Sequence, residues 1–140
     1  MRVEAFFDTN VLIYAVALDD PRNARAEELL ASGGTISVQI LNEFVSVARR
    51  KILMPWRSVM DALDAFRTLC PSPLPITIKM HEAALKIAEQ HGFGFYDALV
   101  VAAALEAGCA ILYSEDFQDG QKIDGKLTIR DPFARSSGRS

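Results

Sequence analysis

Four acidic residues in this chain border or interrupt otherwise apolar segments, and this placement strongly constrains how the chain can fold. They are Asp8, Glu43, Asp97 and Asp116. A carboxylate beside a buried segment costs free energy unless a cation pairs with it. No lysine or arginine adjoins any of the four in sequence. A divalent metal ion would compensate all four charges, and hard cations such as Mg²⁺ prefer oxygen ligands.

The spacing of apolar residues predicts strands that alternate with helices. Strands are predicted at 3–7, 35–38, 110–113 and 127–130, with a strand fragment at 76–78 and a polar loop at 115–125. Helices are predicted at 11–18, 22–31, 39–53, 57–69, 79–91 and 95–107. The last helix is apolar almost all round and is expected to be the most buried. This alternation predicts an α/β fold, in which helices cover both faces of a parallel sheet.

Length and composition indicate one ordinary globular domain. The 140 residues suit a single core, with the domain expected at 1–133 and a frayed tail at 134–140. No apolar run is long enough to span a bilayer, and the N-terminus lacks the pattern of a signal peptide, so we expect a cytoplasmic protein.

The net charge of −3 and pI of about 5.3 argue against non-specific binding of nucleic acid over the whole surface. They do not exclude a nuclease, because a bound metal reverses the sign of an acidic site.

Cysteine and histidine contribute no metal site to the sequence. Cys70 and Cys109 belong to no ligand or redox spacing, and His81 and His91 stand alone. Any metal would therefore be held mainly by oxygen, which argues against zinc.

The predicted topology offers a way to bring the four acids together. In open α/β folds the functional crevice lies beyond the carboxyl ends of the strands. Asp8 and Asp116 each follow a predicted strand, while Glu43 and Asp97 lie in the first turns of helices. Each has an ordinary alternative: a helix cap for Asp8, an ion pair with Arg50 for Glu43, a helix-start carboxylate for Asp97 and a solvated loop for Asp116.

The alternation of side chains beyond the predicted strand 110–113 distinguishes Asp116 from its neighbour Glu115. Ser114 and Asp116 share one side of the extended chain, so Asp116 is the better candidate to face the site, and Glu115 is expected to point away. Asp119 is placed within reach of the same site through solvent.

Four short motifs resemble those of a known family. They are Phe7-Asp8-Thr9-Asn10-Val11-Leu12, Asn42-Glu43-Phe44, Phe95-Tyr96-Asp97-Ala98-Leu99 and Tyr113-Ser114-Glu115-Asp116. Together they resemble the motifs of PIN-domain ribonucleases and, within that family, of the VapC toxins of bacterial toxin–antitoxin pairs. The resemblance implies a three-layer α/β/α sandwich around a short, mostly parallel sheet. It also implies cleavage of RNA with Mg²⁺ or Mn²⁺, a homodimer, and a VapB-type antitoxin that occupies the active site.

The expected roles of the site residues combine this resemblance with metal chemistry. Asp8 and Asp97 would hold the main ion, and Asp116 would complete its shell directly or through water. Glu43 would bind a second ion or orient the attacking water. Hydrogen-bonding side chains near the carboxylates would fix their orientation. These are Thr9, Asn10, Ser114 and Asp119.

Basic residues that could bind RNA lie close together near the end of the predicted helix 39–53, which contains Glu43. Arg49, Arg50, Lys51 and Arg57 form the densest basic group, although the ordinary explanation of this group is a solvated helix end favoured by the helix dipole. Contacts between the copies of a homodimer are expected at Leu12, Tyr14 and Trp56.

Other protein classes fit the sequence less well. A receiver-type phosphoacceptor needs an acidic pair after the first strand and a late lysine, and a haloacid dehalogenase needs a second aspartate at position 10, where this chain has asparagine. A non-catalytic PIN-like binding protein is disfavoured by the intact acids. A PIN nuclease that processes RNA outside toxin–antitoxin systems remains an alternative.

Overall fold

In a computed structural model, residues 4–134 form six helices and four short strands. The strands are β1 (Ala5–Phe7), β2 (Ile111–Tyr113), β3 (Lys122–Ile123) and β4 (Leu127–Arg130). The helices are α1 (Thr9–Val16), α2 (Asn23–Ala31), α3 (Val38–Arg50), α4 (Trp56–Leu69), α5 (Ile78–His91) and α6 (Phe95–Glu106). Residues 1–3 and 135–140, which include the start of the predicted first strand and most of the predicted tail, lie outside the described residues.

The sheet has the strand order β1-β2-β4-β3. β1, β2 and β4 run parallel, and β3 is antiparallel to β4. Phe7 lies opposite Tyr113, which lies opposite Arg130, so the three parallel strands end in line. The backbone N–H of Asp8 donates to the carbonyl of Tyr113 (3.0 Å), and that of Ser114 donates to the carbonyl of Arg130 (2.9 Å). The chain therefore leaves β1 and β2 side by side.

Burial of alternate residues shows that both faces of the sheet are covered. Phe6 and Phe7 point to opposite faces, yet both are at most 1% exposed. In α6, every residue from Ala98 to Ala104 is buried, which confirms that this apolar helix is the most buried of the described helices. The predicted α/β class with a mostly parallel sheet is confirmed.

Two predicted strands are wrong because helix caps end them early. At 35–38, Thr35 forms an isolated parallel bridge with Phe6, and Ser37 then caps α3 by accepting from the N–H of Ile40 (3.3 Å). At 76–78, Thr77 caps α5 by accepting from the N–H of Met80 (3.1 Å). A hydroxyl that satisfies a free N–H of the first turn favours helix over strand at these positions.

Strand β3 lies within the predicted loop and was missed. It forms a hairpin with β4 across Asp124 and Gly125, which both have positive φ angles (55° and 66°). The hairpin loop has three residues, 124–126, and the N–H of Lys126 donates to the carbonyl of Ile123 (3.0 Å). Asp124 and Gly125 are the central residues of the turn that this bond closes, and Asp-Gly is a preferred pair where both have positive φ. This dipeptide was the sequence signal for the hairpin, although β3 itself is only two residues long.

No helix within residues 4–134 combines the length and apolar character needed to cross a membrane.

The close approach of Gly34 to β1 gives a stability prediction. A Cβ at this position would lie 2.6 Å from Cε2 of Phe7 and 2.9 Å from the carbonyl oxygen of Ala5. We expect Gly34→Ala to lower the free energy of unfolding by roughly 1–3 kcal/mol, because the buried ring and the strand backbone must both shift. Urea denaturation measures this change.

The matched control is Gly94→Ala, since a Cβ there meets nothing within 4 Å and φ is negative. Gly94→Ala should lower the free energy of unfolding by less than about 1 kcal/mol, as expected for an exchange at a helix N-cap. Equal denaturation midpoints for Gly34→Ala and the unaltered protein would contradict the prediction.

Candidate functional site

The structure brings the four predicted acids into the wall of one cavity. Asp8 leaves β1 as the N-cap of α1, Asp116 follows β2, and Glu43 and Asp97 project from α3 and α6. The cavity has a volume of about 460 Å³ and opens at the carboxyl ends of the parallel strands. Residues that are up to 108 positions apart in the chain, from 8 to 116, thus share one space.

Asp8 is the most deeply buried of the four, with 4% of its surface exposed. Its Oδ1 accepts from the backbone N–H of Thr9 and its Oδ2 from the hydroxyl of Ser114, both at 2.7 Å. Burial raises the pKa of Asp8 from 3.8 to about 7; the two hydrogen bonds oppose this rise, and the charges of Asp116 and Glu43 add to it. The carboxylate is held in position but lacks a compensating charge.

Glu43 and Asp97 complete the acidic wall from the two helices. Oε1 of Glu43 accepts from the Thr9 hydroxyl (2.7 Å), and Oε2 accepts from Nε2 of Gln39 at a longer 3.4 Å. Burial raises the pKa of Asp97, and the charges of Asp116 and Glu43 raise it further. The four acids therefore interact electrostatically across the cavity.

Asn10 links the first strand end to the second. Its Nδ2 donates to Oδ2 of Asp116 (3.3 Å) and lies 3.5 Å from the Ser114 hydroxyl oxygen, which also accepts from the backbone N–H of Asp116 (3.0 Å). The buried Oδ1 of Asn10 has no hydrogen-bond partner among the described residues. An oxygen left without a partner inside an oxygen-rich cavity is available to a cation or to a water bound to one.

Glu115 differs from its predicted orientation, because it lines the same cavity as Asp116. The hydroxyl of Tyr14 donates to Oε2 of Glu115, and Nη1 of Arg22 lies 3.5 Å from Oε1. The guanidinium of Arg22 also covers the Tyr14 ring at 3.9 Å and pairs with Asp20. Strand β2 ends at Tyr113, so the alternation of side chains along a strand does not govern Glu115. Tyr14 was not predicted as a site residue, although it lies one helical turn after Asn10.

The remaining candidate residues separate into those inside and those outside the cavity wall. Arg50 and Lys51 line it. Arg49 does not: its Nη1 donates to the carbonyl of Met54 (2.8 Å), and its guanidinium covers the Trp56 ring.

The remaining predictions concern Asp119 as a site residue and the expected dimer contacts Leu12 and Trp56. Asp119 lies outside the cavity wall, and its carboxylate accepts from the backbone N–H of Asp131 (3.0 Å), beyond the end of β4. Leu12 has no exposed surface, so it is wrong as a dimer contact, because the helix turns it into the core. Trp56 is 53% exposed.

The donor set fits a hydrated divalent cation. None of the four acids forms an ion pair within residues 4–134. In the same part of the chain, no group of three acidic, histidine or cysteine side chains is arranged to hold a metal ion by itself. Mg²⁺ keeps several waters and is ordinarily anchored by only one or two carboxylates. The buried Asp8 and the unpaired oxygen of Asn10 suit that kind of site.

Comparison with known proteins assigns the family. The model of the PIN domain matches residues 5–122. The chain therefore belongs to the PIN-domain family, as its motifs predicted. No curated protein matches it in sequence.

Three solved structures share the fold. A toxin–antitoxin complex from Klebsiella pneumoniae is 21% identical, with a TM-score of 0.67 over 93% of this chain and 98% of that one. Mycobacterium tuberculosis VapC20, described as a sarcin–ricin loop cleaving toxin, is 24% identical, with a TM-score of 0.66 over 81% and 90%. VapBC2 from Rickettsia felis, bound to a DNA fragment from its promoter, is 21% identical, with a TM-score of 0.63 over 90% and 96%. The TM-scores of these three superpositions establish a common fold.

The raised pKa of Asp8 predicts how stability depends on pH when metal is removed. The folded protein binds this proton more tightly than the unfolded chain, so stability falls as the pH rises from about 4 towards 7. In EDTA, we expect the free energy of unfolding of the unaltered protein to fall by roughly 1–3 kcal/mol between pH 5 and 8, relative to that of Asp8→Asn. The asparagine carries no charge to bury. Urea denaturation across this pH range measures the difference.

The exposed residue Asp19 provides the control: Asp19→Asn should follow the unaltered protein at every pH. Adding Mg²⁺ at pH 8 should stabilise the unaltered protein and leave Asp8→Asn nearly unchanged. A pH dependence that survives in Asp8→Asn would show that another group is responsible.

Proposed function

We propose that this chain is a metal-dependent endoribonuclease that cleaves RNA phosphodiester bonds with Mg²⁺ or Mn²⁺. The observation that carries the proposal is the shared cavity of Asp8, Glu43, Asp97 and Asp116, in which a buried carboxylate lacks a compensating cation. Membership of the PIN-domain family supports it. When bound, a divalent ion would neutralise phosphate charge, lower the pKa of a water and stabilise the leaving oxygen.

The side chains of the cavity have distinct roles in this proposal. Asp8 and Asp97 would anchor the main ion, and Asp116 would contribute directly or through water. Glu43 would bind a second ion or orient the attacking water, and the Thr9 hydroxyl holds its carboxylate in position. The Ser114 hydroxyl fixes Asp8, and Asn10 fixes Asp116.

Positive charge for the RNA backbone lies on the same wall. Arg50 and Lys51, at the end of α3, line the cavity together with the acids. They are placed to bind phosphates next to the one that is cleaved, since cations supply most of the affinity for a nucleic acid backbone. Glu115 is a fifth acid of the wall, but Arg22 and Tyr14 already engage its carboxylate, so we assign it no metal.

Substitution of the two anchoring acids tests the nuclease. Asp8→Asn combined with Asp97→Asn should abolish cleavage of RNA while leaving the fold intact, because the amides keep the shape but lose the charge that holds the ion. Purified protein is incubated with RNA with and without Mg²⁺ or Mn²⁺, and the cut ends should carry 5′-phosphate and 3′-hydroxyl groups.

The exposed Asp61, paired with Arg57 on α4, provides the control, since Asp61→Asn should cut as fast as the unaltered protein. Circular dichroism verifies that the double variant is folded. Equal cleavage by the double variant, or cleavage that persists in EDTA, would overturn the assignment.

We infer further that the nuclease is the toxin of a VapBC-type pair, that it forms a homodimer, and that a VapB-type antitoxin inhibits it. The similarity to a toxin–antitoxin complex, to VapC20 and to VapBC2 supports this inference. The alignments extend over at least 90% of each of these three chains. The acidic cavity is open at one end of the sheet, where a partner segment carrying a cation could reach the four carboxylates.

Expression in a bacterial host tests the toxin role. The unaltered chain should arrest growth and Asp8→Asn should not, because arrest requires cleavage of RNA. We expect a short reading frame for the antitoxin next to this gene. Its co-expression should restore growth, and size-exclusion chromatography with light scattering should then find both chains in one complex. Normal growth despite active enzyme would favour a nuclease that processes RNA outside toxin–antitoxin systems.

A further inference from the structure

A second, shallower cleft adjoins the acid cavity and has a different chemical character. Its volume is about 260 Å³, and it is lined by Gln39, Asn42, Glu43, Ser46 and Tyr96. Glu43 and Ser46 line both spaces, so the cleft begins where the acid cavity ends. Apart from Glu43 on the shared wall, the lining groups are amides, a hydroxyl and an aromatic ring, which attract no phosphate but suit a neutral ligand with donors and acceptors.

Tyr96 supplies a flat apolar surface at the edge of this cleft. Its side chain belongs to a residue that is 63% exposed, although it is large and aromatic. In the described part of the chain, the only ring that it contacts is Phe95, edge-on at 5.7 Å, and its hydroxyl has no hydrogen-bond partner. It directly precedes Asp97, so a group stacked on it lies next to the acid cavity.

Helix α3 supplies the polar side of the cleft. Gln39, Asn42 and Ser46 lie on one face of the helix at spacings of three and four residues. Within residues 4–134 the Asn42 amide has no hydrogen-bond partner, and that of Gln39 makes only the 3.4 Å contact with Glu43. The Ser46 hydroxyl accepts from Nε of Arg50 (3.0 Å), which connects this face to the basic end of the helix.

We propose that this cleft is a base-binding subsite, in which Tyr96 stacks on an unpaired nucleobase and Asn42 and Gln39 hydrogen-bond to its edge. Protein side chains read single-stranded RNA by this combination of aromatic stacking and contacts to base edges. The proposal rests on the proposed nuclease function, and it places the base beside the phosphate that is cut. The substrate must then be unpaired at that nucleotide.

Steady-state cleavage of a single-stranded oligoribonucleotide tests the stacking. We expect Tyr96→Ala to lower kcat/KM by roughly 5- to 150-fold, the range for loss of one stacked base. Tyr96→Phe should retain activity, because the ring remains. Leu85→Ala, which removes an exposed apolar side chain on α5 outside both spaces, should match the unaltered protein.

An abasic nucleotide, scanned through positions around the cut bond, separates stacking from disturbance of Asp97. At one flanking position, the abasic substrate should be cut equally by Tyr96→Ala and the unaltered protein, since no base remains to stack. If Tyr96→Ala slows every abasic substrate as much as the intact one, Tyr96 positions Asp97 and the subsite is overturned. Pairing the same nucleotide with a complementary strand should suppress cleavage.

Base preference tests the polar side of the cleft. With substrates that carry each of the four bases at the flanking position, Asn42→Ala should flatten the preference at that position alone. Gln90→Ala, an exposed amide on α5, is the matched control and should leave the preference unchanged. Identical preferences for Asn42→Ala and the unaltered protein would remove Asn42 from the subsite.

A binding measurement distinguishes failure of the subsite from failure of the nuclease. Absence of metal-dependent cleavage by the unaltered protein would overturn the nuclease. The subsite is then decided with an oligoribonucleotide that carries 2-aminopurine, whose fluorescence falls when it stacks. Quenching by the unaltered protein and by Tyr96→Phe, but not by Tyr96→Ala, supports the subsite. Equal quenching by all three, or none, overturns it.

Discussion

The burial of the Asp8 carboxylate is the interaction on which the rest of the site depends. The end of β1 leaves only 4% of this residue's surface exposed, and hydrogen bonds from Thr9 and Ser114 hold both carboxylate oxygens. These bonds orient the group, yet the pKa still rises to about 7, because burial and the neighbouring carboxylates outweigh them. A buried, oriented and uncompensated acid is costly as a structural element. In the proposed function a cation would compensate this charge, which would link stability to function.

The cavity contains two kinds of acid, and the difference is electrostatic. Glu115 is engaged by Tyr14 and Arg22, and Arg22 is itself paired with Asp20, which lowers the pKa of that aspartate to about 2. The other four acids have no cationic partner among the described residues. One side of the wall is therefore neutralised by the protein itself, and the other depends on an external charge. In the proposed nuclease, this asymmetry would direct a metal ion towards β1 and the helices α3 and α6.

Helix α3 organises the surface around this site along its length. Ile40, Phe44 and Ala48 bury one face in the core, and Phe44 packs edge-on against Phe66 of α4 at 4.9 Å. With that face held, the adjoining face presents amides, then Glu43, then the basic residues at the helix end, where the dipole also favours them. A single helix thus sets the spacing between the proposed base-binding cleft, the proposed metal-binding acid Glu43 and the basic residues at its end.

Local sequence determined the six helices, the strands β1, β2 and β4, the buried character of α6, the four acids and the family, because helical periodicity, caps and short motifs are encoded within a few residues. Local sequence also predicted that Ser114 and Thr9 orient acids. Tertiary structure decided the rest. It placed Asp119 and Arg49 outside the cavity, turned Glu115 into it beside Tyr14, and joined Tyr96 to Asn42 in one cleft. These outcomes depend on contacts between residues far apart in the chain. Strand register and helix packing determine which residues meet, and no local sequence pattern specifies the register or the packing.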